Sequence, residues 1–379
     1  MQRAAKRDAH VAINAHLLSG QDSYRSAGVH QYIIHLLRHL TSVDHRLRFS
    51  TLLGGNALRP ETGLELHRSR WNTGSPPARV VWEQVIQPGV LRGIAADLVH
   101  GPVFVGPLFA PCPMVITIHD LSFIRFPGFF RPANRLYLTL MTRLSARRAR
   151  RLIAVSEHTA TEAVRLLDVS REKIDVVYHG VDRAFRPLPP DEVSAFRRGR
   201  KLPEQFLLFV GTLEPRKNLI RLIEAFARIY DGRTRLVLVG GRGWLYEELF
   251  SKVEELGIQE AVVFAGYVRS EELPLWYNAA VAFAYPSSYE GFGMPVTEAQ
   301  ACGTPVLTSN CSSLPEAAGD AALLVDPQDV EAIATGLEQL LTDGVLRETL
   351  RERGQTHASG FDWSRTARET ADVYVRALP

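Results

Sequence analysis

The residues best placed by type and spacing to do chemistry lie in YEGFGMPVTEAQACGTPVL, where Glu290 and Glu298 bracket a glycine-rich turn. Gly291 and Gly293 let backbone N–H groups come close to a ligand, and Pro295 suits a first helical position, so a helix should open there. Its N-terminus would carry partial positive charge suited to a phosphate or a sugar hydroxyl. One acid could then hold a sugar and the other a ribose; the alternative is a plain turn residue followed by an ordinary first-turn acid. A second constellation, FVGTLEPRKNLIRLIEAF, sets Arg216 and Lys217 directly before a helix whose expected N-cap is Asn218. Cations are disfavoured beside the positive end of a helix dipole. Two together, behind a strand and the Gly211 turn, imply an anion shared by side chains and helix, and a diphosphate fits. The alternative is that both side chains point into water.

Two weaker signals lie in the first half. MVITIHDLSF ends a strand with His119 and Asp120, although a lone histidine there could equally satisfy a buried backbone carbonyl. SAGVHQYIIHLL puts Gly28 at the start of a helix, where backbone amides could meet an acceptor or a phosphate. No D-x-D, G-x-x-x-x-G-K-[ST], G-x-G-x-x-G or G-x-S-x-G sequence occurs. A divalent metal held by an acidic pair, a P-loop, a dinucleotide fingerprint and a serine hydrolase therefore have no support. The GGRG at 240–243 is too short for a dinucleotide fingerprint and reads as a tight turn. Cys112, Cys302 and Cys311 have neither C-x-x-C spacing nor nearby histidine runs, which points to a reducing cytoplasm without a zinc site.

The elements that must position these residues alternate along the chain. HVAIN, LRFSTLL, ARVVW, DLVHG, MVITIH, RLIAVS and IDVVYH read as strands in the first half, separated by helices such as 29–40, 131–150 and 158–167. FLLFVG, RLVLVGG, AVVFAG, VAFAYPS, TPVLTS and ALLVD play that part in the second. Between them Pro187, Pro189 and Pro190 mark a linker. The fold class is α/β, with two Rossmann-like doubly wound domains facing across a cleft and ligands at the carboxyl ends of the strands. A chain of 379 residues with 46% hydrophobic and 22% charged residues suits two globular domains and rules out a disordered tail protein. Neither a membrane-spanning run nor a signal-peptide core is expected. Charge is uneven: residues 1–190 carry 25 Lys/Arg against 14 Asp/Glu, and the remainder 19 against 27. The densest basic cluster, Arg143, Arg147, Arg148, Arg150 and Arg151, ends a helical run that also shows Leu136, Leu140 and Leu144. It could rest on anionic lipid or merely complement a helix dipole. Nothing accompanies it that would suit nucleic acid.

These motifs together resemble the retaining nucleotide-sugar glycosyltransferases of family 4, which have the two-domain GT-B fold. The likeness is specific in Gly211 to Asn218 and in the E-x7-E element from Glu290 to Glu298, and looser through AVSEHTATEAV, VYHGVD, VVFAGYVRSEEL and FDWSRTA. It implies that Arg216 and Lys217 bind the donor diphosphate and that Glu298 binds the ribose. Glu290, with the amides of Phe292, Gly293 and Met294, would hold the donor sugar. His119 would reach that sugar from the first domain, Gly28 would lie by the phosphates or acceptor, and Val268 would meet the base. Many members carry arginine where this chain has Thr212, so Arg216 would take over that task. The implied domains are 1–185 for the acceptor and 201–360 for the donor, with 186–200 as linker and 361–379 crossing back onto the first. The implied reaction is retaining transfer of a hexose, mannose from GDP-mannose above all, to a lipid-linked or oligosaccharide acceptor in polysaccharide or lipopolysaccharide assembly. No metal or other cofactor is expected. A phosphorylase or epimerase on the same fold, or a non-enzymatic sugar-binding clamp, are the alternatives.

Overall fold

The computed structural model describes residues 8–18, 27–43, 46–54, 64–69, 73, 75–241, 243 and 246–379. The chain forms two compact units, Met1–Gly180 with Trp363–Pro379, and Val181–Asp362. In the first, β1 (Ala9–Asn14), α1 (Ala27–Leu40), β2 (Leu47–Leu53), β3 (Leu64–Arg68), α2 (Pro76–Val81), α3 (Gln87–Gly93), β4 (Leu98–Gly101) and β5 (Met114–Ile118) follow one another. Then come α4 (Ser122–Arg125), α5 (Pro132–Arg148), β6 (Arg151–Ala154), α6 (Glu157–Leu167) and β7 (Ile174–Val176). The strands pair in parallel in the order β3-β2-β1-β4-β5-β6-β7. Their apolar runs are buried on both faces because helices cover both sides of a parallel sheet, as β5, buried throughout, illustrates.

One sequence expectation fails in this unit, and one strand carries no apolar run to announce it. ARVVW is helical: Pro76 and Pro77 open α2, and its continuation Trp82–Ile86 widens into a π-helical turn before α3. Val81 and Val85 are exposed while Trp82 and Glu83 are buried, so the β-branched run follows a helical period and not alternation. LELHR, which carries charge, forms the edge strand β3, where Arg48 and Glu65 pair in solvent at 3.3 Å.

The second unit comprises α7 (Pro190–Arg200), β8 (Phe206–Val210), α8 (Leu219–Ile229), β9 (Arg235–Val239), α9 (Glu247–Glu255), β10 (Val262–Gly266), α10 (Leu273–Ala279) and β11 (Ala282–Tyr285). It continues through α11 (Met294–Ala301), β12 (Val306–Ser309), α12 (Leu314–Ala318), β13 (Leu323–Val325), α13 (Val330–Thr342) and α14 (Gly344–Ala358). Its parallel sheet runs β10-β9-β8-β11-β12-β13. Strand order reverses between β8 and β11, as it does between β1 and β4 in the first unit, and such reversals are where doubly wound sheets bind ligands. α8 buries Leu219, Leu222, Ile223 and Phe226, the spacing that turns one helical face to the sheet.

The stretch expected to act as a linker, 186–200, is instead an integral part of the second unit. Proline at the first helical position starts α7, and the Asn278 side chain accepts from Leu188 N at 2.9 Å and donates to Arg186 O at 2.9 Å. The chain passes between units at Gly180/Val181 and again at Asp362/Trp363. Val181 N donates to Phe361 O at 3.1 Å, so the two passing segments lie side by side at the edge of the second unit. Beyond them α15 (Trp363–Ala377) returns to the first unit and packs on α1 through a buried face that includes Trp363, Ala367, Ala371 and Tyr374.

Candidate functional site

The site grows from the two loops that leave β8 and β11, the strands flanking the order reversal. After β8, Gly211 turns the backbone and Pro215–Lys217 forms a short 3-10 turn carrying both basic residues. The GGRG turn braces this loop: Leu213 N donates to Gly241 O at 3.0 Å and Gly243 N to Leu213 O at 3.1 Å, while Arg242 lies outside the described residues. A methyl group on Gly240 would stand 1.9 Å from Gly211 O, so only glycine admits that approach. Asn218 precedes α8 with φ 59° and does not cap it. Its amide instead donates to Pro286 O at 3.0 Å and Pro327 O at 2.6 Å, tying the β8 loop to the β11 loop.

The loop after β11 brings Glu290 onto both cations. Lys217 Nζ donates to Glu290 Oε1 and Arg216 Nη1 to Glu290 Oε2, each at 2.6 Å. Arg216 Nη2 also pairs with Glu214 Oε1 at 2.7 Å, and Nη1 with Tyr289 O at 2.8 Å. Tyr285 OH, at the end of β11, donates to Glu290 Oε1 at 3.0 Å. Lys217, Glu214 and Glu290 are all buried. Burial alone would raise the Glu290 carboxyl; Arg216 and Lys217 outweigh it and hold the group at about 2. Burial pulls the Lys217 ammonium down, against the field of Glu290.

This corrects the premise that the cations need an external anion or point into water. The chain supplies Glu214 and Glu290 as counter-ions, so the side chains do not point into water and an external anion is not required to account for their placement. The chain's own carboxylates thus hold the two cations side by side, a pre-positioned pair.

Gly293, with φ 111°, precedes α11, and the amides of Gly293 and Met294 occupy the helix end that lacks intrahelical acceptors. Ser313 Oγ donates to Glu290 O and Phe292 O at 2.9 Å each, and Glu290 N donates to Ser312 Oγ at 3.1 Å, so α12 fixes the turn from below. Glu298, one turn into α11, accepts from Tyr277 OH at 3.0 Å. Burial pushes it up to about 7, with Tyr277 opposing and Asp182 adding to the rise. The two carboxylates thus differ widely in proton affinity: Glu290 is ionised and Glu298 titrates near neutrality. Thr212 lies beside Gly211, and Val268 in the half-buried loop after β10.

His119 and Gly28 belong to the first unit. His119 is buried at the end of β5, its Nε2 2.8 Å from Pro102 O, and burial lowers it to about 4, so the ring is neutral and a backbone carbonyl is among its partners. Asp120 caps the turn that follows, its Oδ1 accepting from Ser122 N at 2.8 Å. Gly28 is exposed in the first turn of α1. Of the basic cluster, Arg151 is not on the helix but in β6, committed to Asp175 at 2.7 and 2.8 Å. Arg143, Arg147 and Arg148 bond Leu166 O, Asp168 and Ala110 O. Most of the cluster is therefore engaged within the chain; Arg150 follows the end of α5, and Leu136, Leu140 and Leu144 form an exposed ridge along that helix. Among the described residues no helix is long and apolar enough to cross a membrane, and no group of three or more His, Cys, Asp or Glu is placed to hold a metal ion.

Comparison with known proteins agrees with this arrangement. Residues 26–185 match the model for "Glycosyltransferase Family 4" and residues 191–357 that for "Glycosyl transferases group 1". The chain is 35% identical over 306 residues, 79% of its length and 77% of the relative's, to O-antigen chain mannosyltransferase B of Escherichia coli. It is 30% identical to the D-inositol 3-phosphate glycosyltransferase of Streptomyces avermitilis, covering 100% of this chain and 89% of that one. Among solved structures it is similar to sucrose-phosphate synthase from Thermosynechococcus elongatus, with TM-score 0.80 at 20% identity over 97% and 98% of the two chains. WaaG, described as a glycosyltransferase involved in lipopolysaccharide biosynthesis, gives TM-score 0.72 at 21% identity over 96% and 99%. Two parallel-sheet α/β domains with these family matches define a GT-B glycosyltransferase. The chain belongs to the family 4, group 1 glycosyltransferases.

Proposed function

We propose that this glycosyltransferase moves mannose from GDP-mannose to a hydroxyl of a lipid-linked or oligosaccharide acceptor during lipopolysaccharide O-antigen or related surface polysaccharide assembly, with retention of configuration and without a metal. The observation that carries the reading is the buried Arg216–Lys217–Glu290 cluster beside the N-terminus of α11. The likeness to an O-antigen chain mannosyltransferase supports the choice of sugar.

In this reading Arg216 and Lys217 take the donor diphosphate and Glu298 the ribose hydroxyls. Glu290 and the amides of Phe292, Gly293 and Met294 take the sugar, Gly211 and Thr212 line the phosphates, and Val268 meets the base. His119 and Gly28 serve from the first unit. As the glycosidic bond breaks, negative charge grows on the diphosphate and positive charge on the ring. Cations already fixed in place stabilise that separation more than they stabilise the ground state. Two phosphate charges compete for the cations with Glu214 and Glu290, and displacement of Glu290 frees it for the sugar. Contact with an anionic membrane through the leucine ridge of α5 belongs to the same proposal.

The test incubates the protein with GDP-, UDP- and ADP-sugars and a mannose-terminated oligosaccharide, with and without EDTA. Acceptor-dependent release of GDP from GDP-mannose, insensitive to EDTA and giving an α-linked product by NMR, is expected. Preference for a UDP-sugar, an inverted linkage, or transfer abolished by EDTA refutes the corresponding part.

A further inference from the structure

The first unit contains a second polar cluster that the donor chemistry does not use. It lies at the carboxyl end of β1, beside the strand-order reversal of that sheet, where doubly wound sheets bind ligands. Glu83 is 7% exposed in the π turn, and among the described residues its one hydrogen-bond partner is Asn14, whose Nδ2 donates to Oε1 at 3.0 Å. His16, 6% exposed, lies over Trp82 with ring centroids 3.5 Å apart. Its Nδ1 meets Thr73 Oγ1 at 3.0 Å, and its Nε2 has no partner among the described residues. Arg79, one helical turn before Glu83, and Tyr137 on α5 are near enough for charge to couple with it.

Three features make this unlike a satisfied core. A buried carboxyl with one neutral partner leaves most of its acceptor capacity unmet, and burial raises it to about 8 against the pull of Arg79 and Asn14. The His16 imidazole, two residues beyond β1 and over Trp82 next to Glu83 in the chain, is buried with Nε2 unmatched among the described residues. The π turn that carries Glu83 is itself a costly backbone form that concentrates at functional sites.

A carboxyl, a carboxamide and an imidazole beside aromatic rings form a donor and acceptor set suited to neighbouring hydroxyls of a pyranose. We propose that Asn14, His16 and Glu83 form a hydroxyl-binding subsite for the saccharide acceptor, with Glu83 setting which hydroxyl is presented. The assignment rests on the transferase reading for the reaction but not for the binding.

At pH 9, above the value to which burial lifts the Glu83 carboxyl, Glu83→Gln keeps shape and burial while replacing an acceptor-only carboxylate oxygen with a donating amide. With mannotriose as probe, its acceptor kcat/KM should fall about 10- to 100-fold, the loss expected when a buried hydrogen-bonding partner is removed. Its affinity for the nucleoside diphosphate that the wild type releases, and its melting temperature, should stay unchanged. Wild-type acceptor kcat/KM in this variant overturns the subsite and leaves the transferase reading standing. Parallel loss of nucleotide affinity means that Glu83 is structural, and also overturns it. Should Glu83→Gln melt early, Asn14→Ser at the half-buried strand end carries the same comparison. If the wild type transfers nothing, saturation-transfer NMR with mannotriose decides. A saccharide signal lost in the variant sustains the subsite while the transferase reading fails, and no wild-type signal overturns both.

Discussion

At the scale of residues, Lys217 and Glu298 make the sharpest predictions. Lys217→Met leaves Glu290 paired with Arg216 and Tyr285, so the fold should survive. Turnover should fall about 10²- to 10³-fold if the ammonium meets charge that develops on the leaving group. Steady-state rates beside a melting curve check this, and near wild-type turnover in a folded variant refutes the role. Glu298 sits near 7, so its carboxylate, the form that the proposed ribose contact requires, is progressively lost below that pH. Affinity for the intact nucleotide sugar should therefore weaken about tenfold per unit as pH falls below 7. Glu298→Gln should bind more weakly at pH 8 and show a flat profile by calorimetry. Arg216, Lys217, Glu290 and Glu298 were legible because a cation pair before a helix and an acid pair around a glycine turn are local patterns. Their partners Glu214, Tyr285 and Tyr277 were not, since neither an acid in a loop nor a tyrosine of a strand or helix carries a signal of the charge it will touch, and the pairing of β8 with β11 is what brings Arg216 and Lys217 to Glu290.

At the scale of elements, all six strands of the second sheet could be read from their apolar runs: the central four are buried because helices cover both faces, and the edges β10 and β13 keep apolar runs although partly exposed. The misreadings have physical causes. β3 is an edge strand with one pairing partner, so it tolerates charge, and Ala78–Trp82 is β-branched yet follows a proline pair that sets helical φ. Gly240→Ala should cost about 2 to 4 kcal/mol in chemical denaturation, because its methyl would meet backbone that cannot rotate away. An unchanged midpoint would show that the loops separate at little cost. On α5, Leu136 is 70% and Leu140 53% exposed. If this ridge enters lipid, the Leu136→Asp/Leu140→Asp double variant should lose co-flotation with vesicles containing anionic phospholipid while keeping transfer to a soluble acceptor. Equal flotation of variant and wild type removes the membrane from the proposal.

At the scale of the whole molecule, buried histidines set the acid limit. His16 and His119 are lowered to about 4 and His100 to about 3, burial leading in each. Their folded-state values lie below the ordinary 6.5, so the unfolded chain takes up protons first. The stability they contribute is complete above about 6.5 and is lost as pH falls toward 4, on the order of 3 kcal/mol per ring. Glu290, held at about 2, adds a loss that begins only below its ordinary value near 4.5. Denaturant titrations should show stability declining between pH 6.5 and 4.5, before Glu290 is protonated and against a smaller opposing gain from Glu83 and Glu298, whose raised carboxyls take up protons first in the folded chain, and His100→Gln should reduce that slope. A flat profile across this window would mean that the rings are charged when folded.

The return of α15 reaches further than packing. Tyr374 OH meets His100 Nδ1 at 2.7 Å, and Trp363 stacks on His35 with centroids 4.9 Å apart. The first seven strands emerge from the ribosome long before the segment that seals them, and must wait with that apolar seam uncovered while the entire second unit is synthesised. Assembly of the first half is thereby timed by translation of the second, and a nascent chain halted at Asp362 would be a natural client for chaperones.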